Sequence, residues 1–254
     1  MITGASAGLG ADFARLFAAD GYDLVLAARR ADPMQVLAAE LAGAHGIEAT
    51  VISIDLARAE APDELAAAVG AKGLAIDALV NNAGFGALGA FAETDGERQR
   101  DMVAVNVAAL TRLTRLLLPG MIERREGRII NLASVAGFMP GPYMAVYFAT
   151  KAYVVSFSAA LAEELRGTGV TVTCICPGPT ETEFHAVAGM TRPKAGSGAT
   201  MMPSAPVARA GYAAALRGRR LVVTGAPNKL AVFATRLLPQ GVMLRLVRRG
   251  IAGR

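Results

Sequence analysis

A chain of 254 residues with 53% hydrophobic and 19% charged side chains is long and apolar enough to bury the core of one large α/β domain, which excludes a disordered chain. No run approaches about 18 uninterrupted apolar residues, and glycines and Asp12 interrupt the opening segment, so neither a membrane-spanning helix nor a signal peptide is expected. The net charge of +5 is unevenly divided, because residues 1–183 carry all 21 acidic side chains and the last 71 residues carry twelve basic side chains and no acidic one. The cytoplasm is the expected compartment.

Short β-branched or leucine-rich runs alternate with longer helical patterns along the whole chain. The predicted strands are residues 23–28, 49–54, 78–81, 128–132, 170–176 and 220–224. The predicted helices are residues 8–19, 33–45, 62–71, 96–124, 145–166 and 205–216. This alternation, without polar linkers, predicts βαβ units, a parallel sheet and a single domain over residues 1–254.

Two regions interrupt the alternation. Residues 180–206 are rich in glycine, methionine and proline with little periodicity, which predicts a mobile substrate loop or lid. Residues 229–249 are apolar and arginine-rich, and Pro239 and Gly241 divide them into two predicted short helices. The extension 229–254 has a structural interpretation, in which residues 229–249 pack against the sheet or another subunit and the basic C-terminus is solvated. The alternative is that the positive charge of the C-terminal part attracts an acidic carrier, a phosphorylated substrate or an anionic membrane surface.

Both cysteines of the chain, Cys174 and Cys176, lie in one apolar strand pattern. Alternation along a strand places them on the same face, where they are predicted to be buried small hydrophobic residues rather than a metal or redox pair. We predict no metal site.

The segment from Thr3 to Gly10 opens the first predicted helix, with glycines at positions 4, 8 and 10. Glycine permits a tight turn and a close approach of the backbone to a pyrophosphate, and the helix N-terminus supplies N–H donors and a favourable dipole. The spacing differs from the commoner Gly-x-Gly-x-x-Gly, and glycine-rich turns without ligands are frequent. By itself the loop indicates a dinucleotide site without establishing one.

Two arginines, Arg29 and Arg30, follow the predicted strand 23–28. An acidic residue at this position would bind the ribose 2′-hydroxyl of NAD, whereas a guanidinium suits a 2′-phosphate. The pair therefore predicts NADP(H) as the preferred cofactor and leaves NAD(H) possible. The alternative is a basic turn beside a helix.

Tyr147 and Lys151 are four residues apart in a predicted helix, thirteen residues after Ser134. Positions i and i+4 share one helix face, so the phenol and the ammonium are expected side by side. A neighbouring cation stabilises phenolate and is expected to lower the tyrosine pKa from about 10 towards neutrality, which lets Tyr147 exchange a proton at physiological pH. The alternative is a chance pair on a solvated helix face.

Together these motifs resemble the classical short-chain dehydrogenase/reductase family, in the family's order from residue 3 to about residue 224. Asp55 and Leu56 match the family's adenine-holding pair, and residues 81–84 match its motif that supports the sheet and cofactor. The predicted cofactor-binding residues, from the motifs and the resemblance, are Gly4, Ser6, Gly8, Leu9, Gly10, Arg29, Arg30, Asp55, Leu56, Asn82, Ala83, Gly84, Tyr147, Lys151, Pro177, Gly178, Thr180 and Thr182. The family's catalytic tetrad is matched by Asn106, Ser134, Tyr147 and Lys151. The resemblance implies a Rossmann-like, doubly wound, mostly parallel seven-stranded sheet flanked by helices.

The resemblance also implies a chemistry, namely hydride transfer between NADP(H) and a carbonyl or alcohol group. Ser134 would hold the substrate oxygen, and Tyr147 would deliver the proton in reduction or remove it in oxidation. Lys151 would lower the phenol pKa and bind the nicotinamide ribose hydroxyls, and Asn106 would organise a water that links Lys151 to solvent.

The chain departs from the family at its first strand, because only Met1 and Ile2 precede Thr3. Family members usually carry several more residues there, so we expect a truncated first strand with fewer ladder hydrogen bonds and core contacts. A start upstream of Met1, or an omitted N-terminal segment, is expected in preference to a functional truncation.

The predicted substrate pocket is apolar, which favours a hydrophobic ketone, aldehyde or alcohol over a sugar or a small acid. Its candidate residues, of which several methionines could instead pack the lid, are Phe85, Phe138, Met139, Tyr143, Met144, Phe184, Met190, Met201 and Met202. By resemblance, helices 96–124 and 145–166 would form the interface of a homodimer or homotetramer; no nucleic-acid partner is expected. Two rival functions stay open: a cofactor-binding sensor or scaffold without turnover, and a peripheral membrane protein attached through residues 229–254.

Overall fold

The computed structural model describes residues 1–190 and 201–252; for residue 252 it describes the backbone alone. Its strands, in chain order, are β1 (Ile2–Thr3), β2 (Leu24–Ala28), β3 (Ala49–Ser53), β4 (Ala78–Asn81), β5 (Gly127–Leu132), β6 (Val170–Cys176), β7 (Thr180–Glu181), β8 (Met202–Pro203) and β9 (Leu221–Val223). Seven of them form one parallel sheet in the order β3-β2-β1-β4-β5-β6-β9, and β7 pairs with β8 in a separate parallel ladder. The predicted seven-stranded parallel sheet is confirmed.

The helices, in chain order, are α1 (Gly8–Ala19), α2 (Ala31–His45), α3 (Ala61–Ala71), α4 (Gly96–Val103), α5 (Leu110–Arg124), α6 (Ala145–Glu164), α7 (Phe184–Val187), α8 (Ser204–Leu216), α9 (Ala226–Ala234) and α10 (Gln240–Ala252). Helices α1, α2 and α8 cover one face of the sheet through a core that includes Phe13, Met34 and Tyr212. Helices α3, α5 and α6 cover the other face through a second core, which includes Leu65 and Leu113. With both faces covered, the sheet is doubly wound, as predicted.

The short first strand, β1, lies in the middle of the sheet between β2 and β4. Ile2 pairs with Leu26 on one side and Val80 on the other. The Met1 nitrogen donates to the Ala78 carbonyl at 2.7 Å, and the Val80 N–H donates to the Met1 carbonyl at 2.8 Å. The first strand is therefore short, as predicted, while Met1 and Ile2 are buried and Met1 is hydrogen-bonded on the β4 side.

The predicted helix 96–124 has an interruption. A π-helical turn, Ala104–Ala109, separates α4 from α5 and contains Asn106. The Asn106 side chain is bonded to the backbone of Phe85, outside the helix. Such widened turns are frequent at functional sites, and periodicity alone did not predict this one.

The predicted lid, residues 180–206, contains regular structure at both ends. β7 and α7 occupy its start, and β8 and the first turn of α8 occupy its end. Residues 191–200 of this segment lie outside the described residues. In the C-terminal extension two helices are present as predicted, but Gly241 lies inside α10 instead of between the helices.

Two helical segments, Gly96–Arg124 and Ala145–Glu164, are long and apolar enough to cross a membrane by length and composition alone. Both flank the sheet in this fold. Leu113 and Met121 of α5 and Leu161 of α6 are buried in the core against Leu79 and Ile129. Their apolar character is that of helices covering a sheet face.

A buried polar network joins the centre of the sheet to two helices. Asn81 Nδ2 donates to Asn131 Oδ1 at 2.9 Å and to Thr114 Oγ1 at 3.1 Å. Asn131 Nδ2 donates in turn to Ser158 Oγ at 2.9 Å. All four side chains are buried, so each depends on the others for its hydrogen bonds.

Replacing Asn131 with leucine is expected to lower the free energy of unfolding by about 2–4 kcal/mol, because in a buried site the Asn81 amide loses one of its two acceptors and the Ser158 hydroxyl loses the Asn131 donor. For a chain of this size the expected loss in Tm is about 5–15 °C. Thermal unfolding measures it, with the exposed Gln35→Leu as the matched control. A loss no larger than that of the control contradicts the role of the network.

Candidate active site

One large cavity, of about 1040 Å³, opens along the carboxyl ends of the sheet strands. Gly4 follows β1, Arg29 follows β2, Asn82 follows β4, Ala133 follows β5 and Pro177 follows β6, and all of them line it. The strand order reverses between β1 and β4, which is the position where open α/β sheets bind their ligands.

Most of the predicted site residues line this cavity. They are Gly4, Ser6, Gly8, Leu9, Arg29, Arg30, Asp55, Leu56, Asn82, Ala83, Gly84, Ser134, Tyr147, Lys151, Pro177, Gly178, Thr180 and Thr182. Gly10 and Asn106 do not line it, because both lie behind the wall and support residues that do.

The glycine loop forms a cradle with very little free space. Gly4 has φ +65°, and the Asn82 amide donates to the carbonyls of Thr3 and Gly4 at 2.9 and 3.1 Å. A Cβ at Gly10 would collide with the Gly4 carbonyl and lie 2.6 Å from the Asn82 amide nitrogen. Gly10 therefore allows close packing of α1 on the loop.

The N-terminus of α1 faces the same cavity without a side-chain cap and without an acidic residue in its first turn. Its free N–H groups and dipole favour an anion there. Together with the cradle, these features fit the pyrophosphate of a dinucleotide cofactor.

Arg30 makes an ion pair that the sequence did not predict. Its guanidinium donates to both carboxylate oxygens of Glu183, at 3.1 and 2.6 Å, and to Ser6 Oγ at 3.3 Å. Glu183 is 153 residues away and directly precedes α7, so no local pattern could have identified it. Arg30 and Glu183 thus connect the two sides of the cavity.

Ser134, Tyr147 and Lys151 come together in the cavity, as their spacing predicted. Ser134 precedes a short 3₁₀ turn, where its Oγ accepts from the Ala136 N–H at 3.1 Å. Tyr147 and Lys151 lie on α6, and the Lys151 Nζ is 5.8 Å from the centre of the Tyr147 ring. Lys151 is buried and donates to the Leu132 carbonyl at 2.7 Å.

Burial decides the protonation of these two groups. Desolvation raises the pKa of Tyr147 to about 12, and a hydrogen bond with Ser134 only partly opposes it. Desolvation also lowers the pKa of Lys151 to about 8. The expected phenol pKa near neutrality is therefore wrong for this arrangement, since Lys151 is directed to the Leu132 carbonyl and desolvation of the phenolate dominates. Tyr147 is a neutral phenol at physiological pH and can donate a proton.

Asn106 fixes the backbone at the base of the cavity. Its Oδ1 accepts from the Phe85 N–H at 3.1 Å, and its Nδ2 donates to the Phe85 carbonyl and to Thr150 Oγ1, both at 3.0 Å. Thr150 in turn donates to the Tyr147 carbonyl at 2.7 Å. The amide therefore joins the π-helical turn to the helix that carries Tyr147 and Lys151.

The apolar part of the cavity differs from its prediction. Of the predicted pocket residues, those that line it are Phe85, Met139, Met144, Phe184 and Met190. Those that do not are Phe138, Tyr143, Met201 and Met202. Phe138 packs against a small core, Tyr143 contacts Arg248, and Met202 belongs to β8.

The lining also includes apolar residues that the prediction missed, among them Phe148, Val187 and Ile251. Phe148 directly follows Tyr147 in the sequence, so this adjacency could have predicted its place in the cavity. Ile251 comes from α10, and only tertiary packing brings it to the cavity. The centre of the Phe184 ring lies 5.0 Å from that of Tyr147, so the apolar wall reaches the Tyr147 phenol.

These features define a Rossmann-type α/β protein with a dinucleotide cleft, and Ser134, Tyr147 and Lys151 lie together in that cleft. Residues 1–192 match the family described as short chain dehydrogenase. The chain belongs to the short-chain dehydrogenase/reductase family, and the predicted family resemblance is confirmed.

Individual relatives cover the chain to different extents. A very-long-chain 3-oxoacyl-CoA reductase from Phaeosphaeria nodorum is 37% identical over 179 residues, which are 69% of this chain and 52% of that protein. The chain thus spans about half the length of the first curated relatives that it matches.

Two solved structures match nearly the whole chain. A short-chain dehydrogenase from Sphingobium yanoikuyae in complex with NADPH is 32% identical, with a TM-score of 0.82 and coverage of 95% of this chain and 93% of that one. The bulky-bulky ketone specific alcohol dehydrogenase from Comamonas testosteroni is 31% identical, with a TM-score of 0.78 and coverage of 95% and 92%.

Proposed function

We propose that the protein is an NADP(H)-dependent oxidoreductase that interconverts a hydrophobic ketone or aldehyde and the corresponding alcohol. The observation that carries this proposal is the placement of Tyr147, Ser134 and Lys151 in the same cavity as the glycine cradle. A protein that only bound the cofactor, as a sensor or scaffold, would not need a proton donor beside Ser134 and Lys151.

The residues of the cavity divide the chemistry between them. When bound, the nicotinamide cofactor would supply or accept the hydride at the substrate carbon. Ser134 would hold the substrate oxygen by a hydrogen bond, and Tyr147 would donate its proton to that oxygen during reduction. Lys151 would stabilise the phenolate left on Tyr147, because a cation nearby favours the charged form.

Cofactor preference follows from the residues after β2. Arg29 and Arg30 border the cavity where an adenosine ribose would lie, and they supply the guanidinium groups that suit a 2′-phosphate. The NADPH complex of the Sphingobium yanoikuyae relative supports the same preference. NADP(H) is the proposed cofactor, with NAD(H) as a weaker substitute.

The proposed substrate is apolar near its carbonyl group. Phe85, Met144, Phe148 and Phe184 line the cavity on the side of Tyr147, and Ile251 lines it from α10. Such a wall favours aryl or alkyl groups on both sides of the carbonyl. The Comamonas testosteroni relative is an alcohol dehydrogenase specific for bulky-bulky ketones, which belong to this class of substrate.

The proposed oligomer is a homodimer or homotetramer that uses the helices of residues 96–124 and 145–166, which are α4, α5 and α6. Val103 and Tyr153 are exposed apolar residues on this side of the protein. The Tyr153 ring stacks on Phe157 at 5.7 Å, and its hydroxyl is 2.9 Å from Thr111 Oγ1, which joins the two helices. A second copy would cover this surface.

A panel of aldehydes and ketones, assayed by NADPH and NADH absorbance, tests the proposed function. We expect turnover of aryl and alkyl ketones with NADPH, at a kcat/KM at least about tenfold above that of a sugar or a short carboxylic acid substrate. Cofactor binding without turnover of any member of the panel would favour the sensor or scaffold.

Carbonyl reduction is expected to slow as the pH rises through about 8, because Lys151 then loses its charge. Tyr147, with a pKa raised to about 12, stays protonated over this range. The profile of kcat/KM from about pH 6 to about pH 10 measures the effect. Lys151→Arg keeps its charge and should lose the falling limb; an identical limb in that variant contradicts the assignment to Lys151.

A further inference from the structure

The last two helices, α9 and α10, expose large apolar side chains. Leu230 and Phe233 of α9 are 69% and 56% exposed, and Leu237, in the turn after α9, is 70% exposed. Val242 and Leu246, one turn apart on α10, are also exposed. Meanwhile Met243 and Ile251 on the opposite side of α10 are buried, so α10 is anchored to the protein through that side.

The same two helices and the turn between them carry five exposed cations, at positions 229, 236, 245, 248 and 249. In the part of the chain that the structure describes, none of the five forms an ion pair, whereas eight arginines elsewhere do. No acidic residue follows Glu183 in the sequence, so these helices carry no compensating charge of their own. Their charge is available to an external anion.

The exposed apolar and basic side chains of residues 229–249 are called the α9–α10 surface here, and this surface is close to the cavity. Ile251 lines the cavity, and Arg248, one turn earlier, lies over the Tyr143 ring and donates to its hydroxyl at 3.3 Å. Helix α10 thus runs from the cavity wall to the exposed surface. An apolar phase that contacts α10 would lie beside the entrance for an apolar substrate.

We propose that the α9–α10 surface binds the face of an anionic phospholipid membrane. Leucine and phenylalanine side chains would enter the boundary of the acyl chains, and the lysine and arginines would contact phosphate groups, which is the pattern of an interfacial helix. A symmetric contact with a second copy fits less well, because it would bring five unpaired cations against five more. Membrane binding is independent of the proposed hydride transfer and is measured without turnover.

Co-sedimentation of the full chain with vesicles tests the proposal. We expect binding to vesicles of phosphatidylcholine with about 30% phosphatidylglycerol, little binding to pure phosphatidylcholine, and weakening in about 0.5 M NaCl. Arg245→Gln with Arg249→Gln should weaken binding by about 10–30-fold. Phe233→Ser with Leu237→Ser should weaken it by at least about tenfold, because less apolar area enters the interface.

Matched controls separate this surface from general stickiness. Val36→Ser with Phe91→Ser removes side chains that are 70% and 66% exposed elsewhere, and Arg209→Gln with Arg217→Gln removes two other exposed cations. All four double variants should keep the parental Tm, since none alters a buried side chain. Equal losses in the controls, or no binding of the parent to anionic vesicles, would overturn the proposal. Dissociation of an oligomer by Phe233→Ser with Leu237→Ser would assign the surface to a second copy and would also overturn it.

Discussion

Tyr147→Phe is expected to reduce carbonyl turnover by at least about 10³-fold while the Kd for NADPH stays within about threefold of the parental value. The change removes one hydroxyl, which is the proton donor proposed for the substrate oxygen, and keeps the ring that packs against Phe184. The glycine cradle and the residues after β2 are untouched, so cofactor binding should persist. Stopped-flow turnover and fluorescence titration with NADPH measure the two quantities.

Tyr143→Phe is the matched control, because Tyr143 is a second phenol four residues before Tyr147 and lies just before the start of α6. Its hydroxyl accepts from Arg248, and its side chain does not line the main cavity. We expect turnover within about threefold of the parent's in this variant. If Tyr147→Phe retained parental turnover, or if Tyr143→Phe lost as much, the proton would have to come from another group.

Arg30→Gln is expected to weaken NADPH binding by about 10–100-fold and NADH binding by less than about threefold, because a charge-assisted hydrogen bond to phosphate contributes about 1.5–3 kcal/mol. Arg29→Gln should act in the same direction, since Arg29 also lines the cavity after β2. Titrations of each variant with both cofactors separate the 2′-phosphate from the rest of the dinucleotide. Equal losses for NADPH and NADH contradict the assignment.

The ion pair between Arg30 and Glu183 predicts that a substitution of Glu183 strengthens NADPH binding, whereas a substitution of Arg30 weakens it. Glu183 and a 2′-phosphate would compete for the same guanidinium. Glu183→Gln should therefore strengthen NADPH binding by about two- to fivefold and leave NADH binding unchanged. Glu181→Gln is the matched control, because it removes the same charge from the same segment without an ion pair to Arg30 in the described structure. A gain in both variants would reflect net charge and not competition at Arg30.

The sheet could be predicted from local patterns because its strands are continuous apolar runs with glycines or polar residues at their carboxyl ends. β4 and β6 have the predicted bounds, and the glycine loop, Asn82 and Pro177 follow strands whose carboxyl ends share one edge. Parallel strands bring such segments together whatever the helices between them do. The order of the motifs therefore predicted most of the cavity lining.

The rest depends on contacts between residues that are distant in sequence. Nothing in the residues around Arg30 indicates Glu183, and Ile251 reaches the cavity only through the packing of α10. The π-helical turn arises where the Asn106 side chain bonds to Phe85, which the period of the helix does not report. The pKa of Tyr147 was predicted from a neighbouring charge alone, while in the fold the desolvation of its phenol dominates.

The small parallel ladder of β7 and β8 has an evolutionary consequence. Thr180 pairs with Met202, Glu181 pairs with Pro203, and the Met202 N–H donates to the Pro179 carbonyl at 2.9 Å. The two ends of the intervening segment are therefore held together next to the cavity, independently of the length of chain between them. Because closing a longer loop costs little when its ends are already joined, insertions and deletions there can accumulate without disturbing β6 or α8.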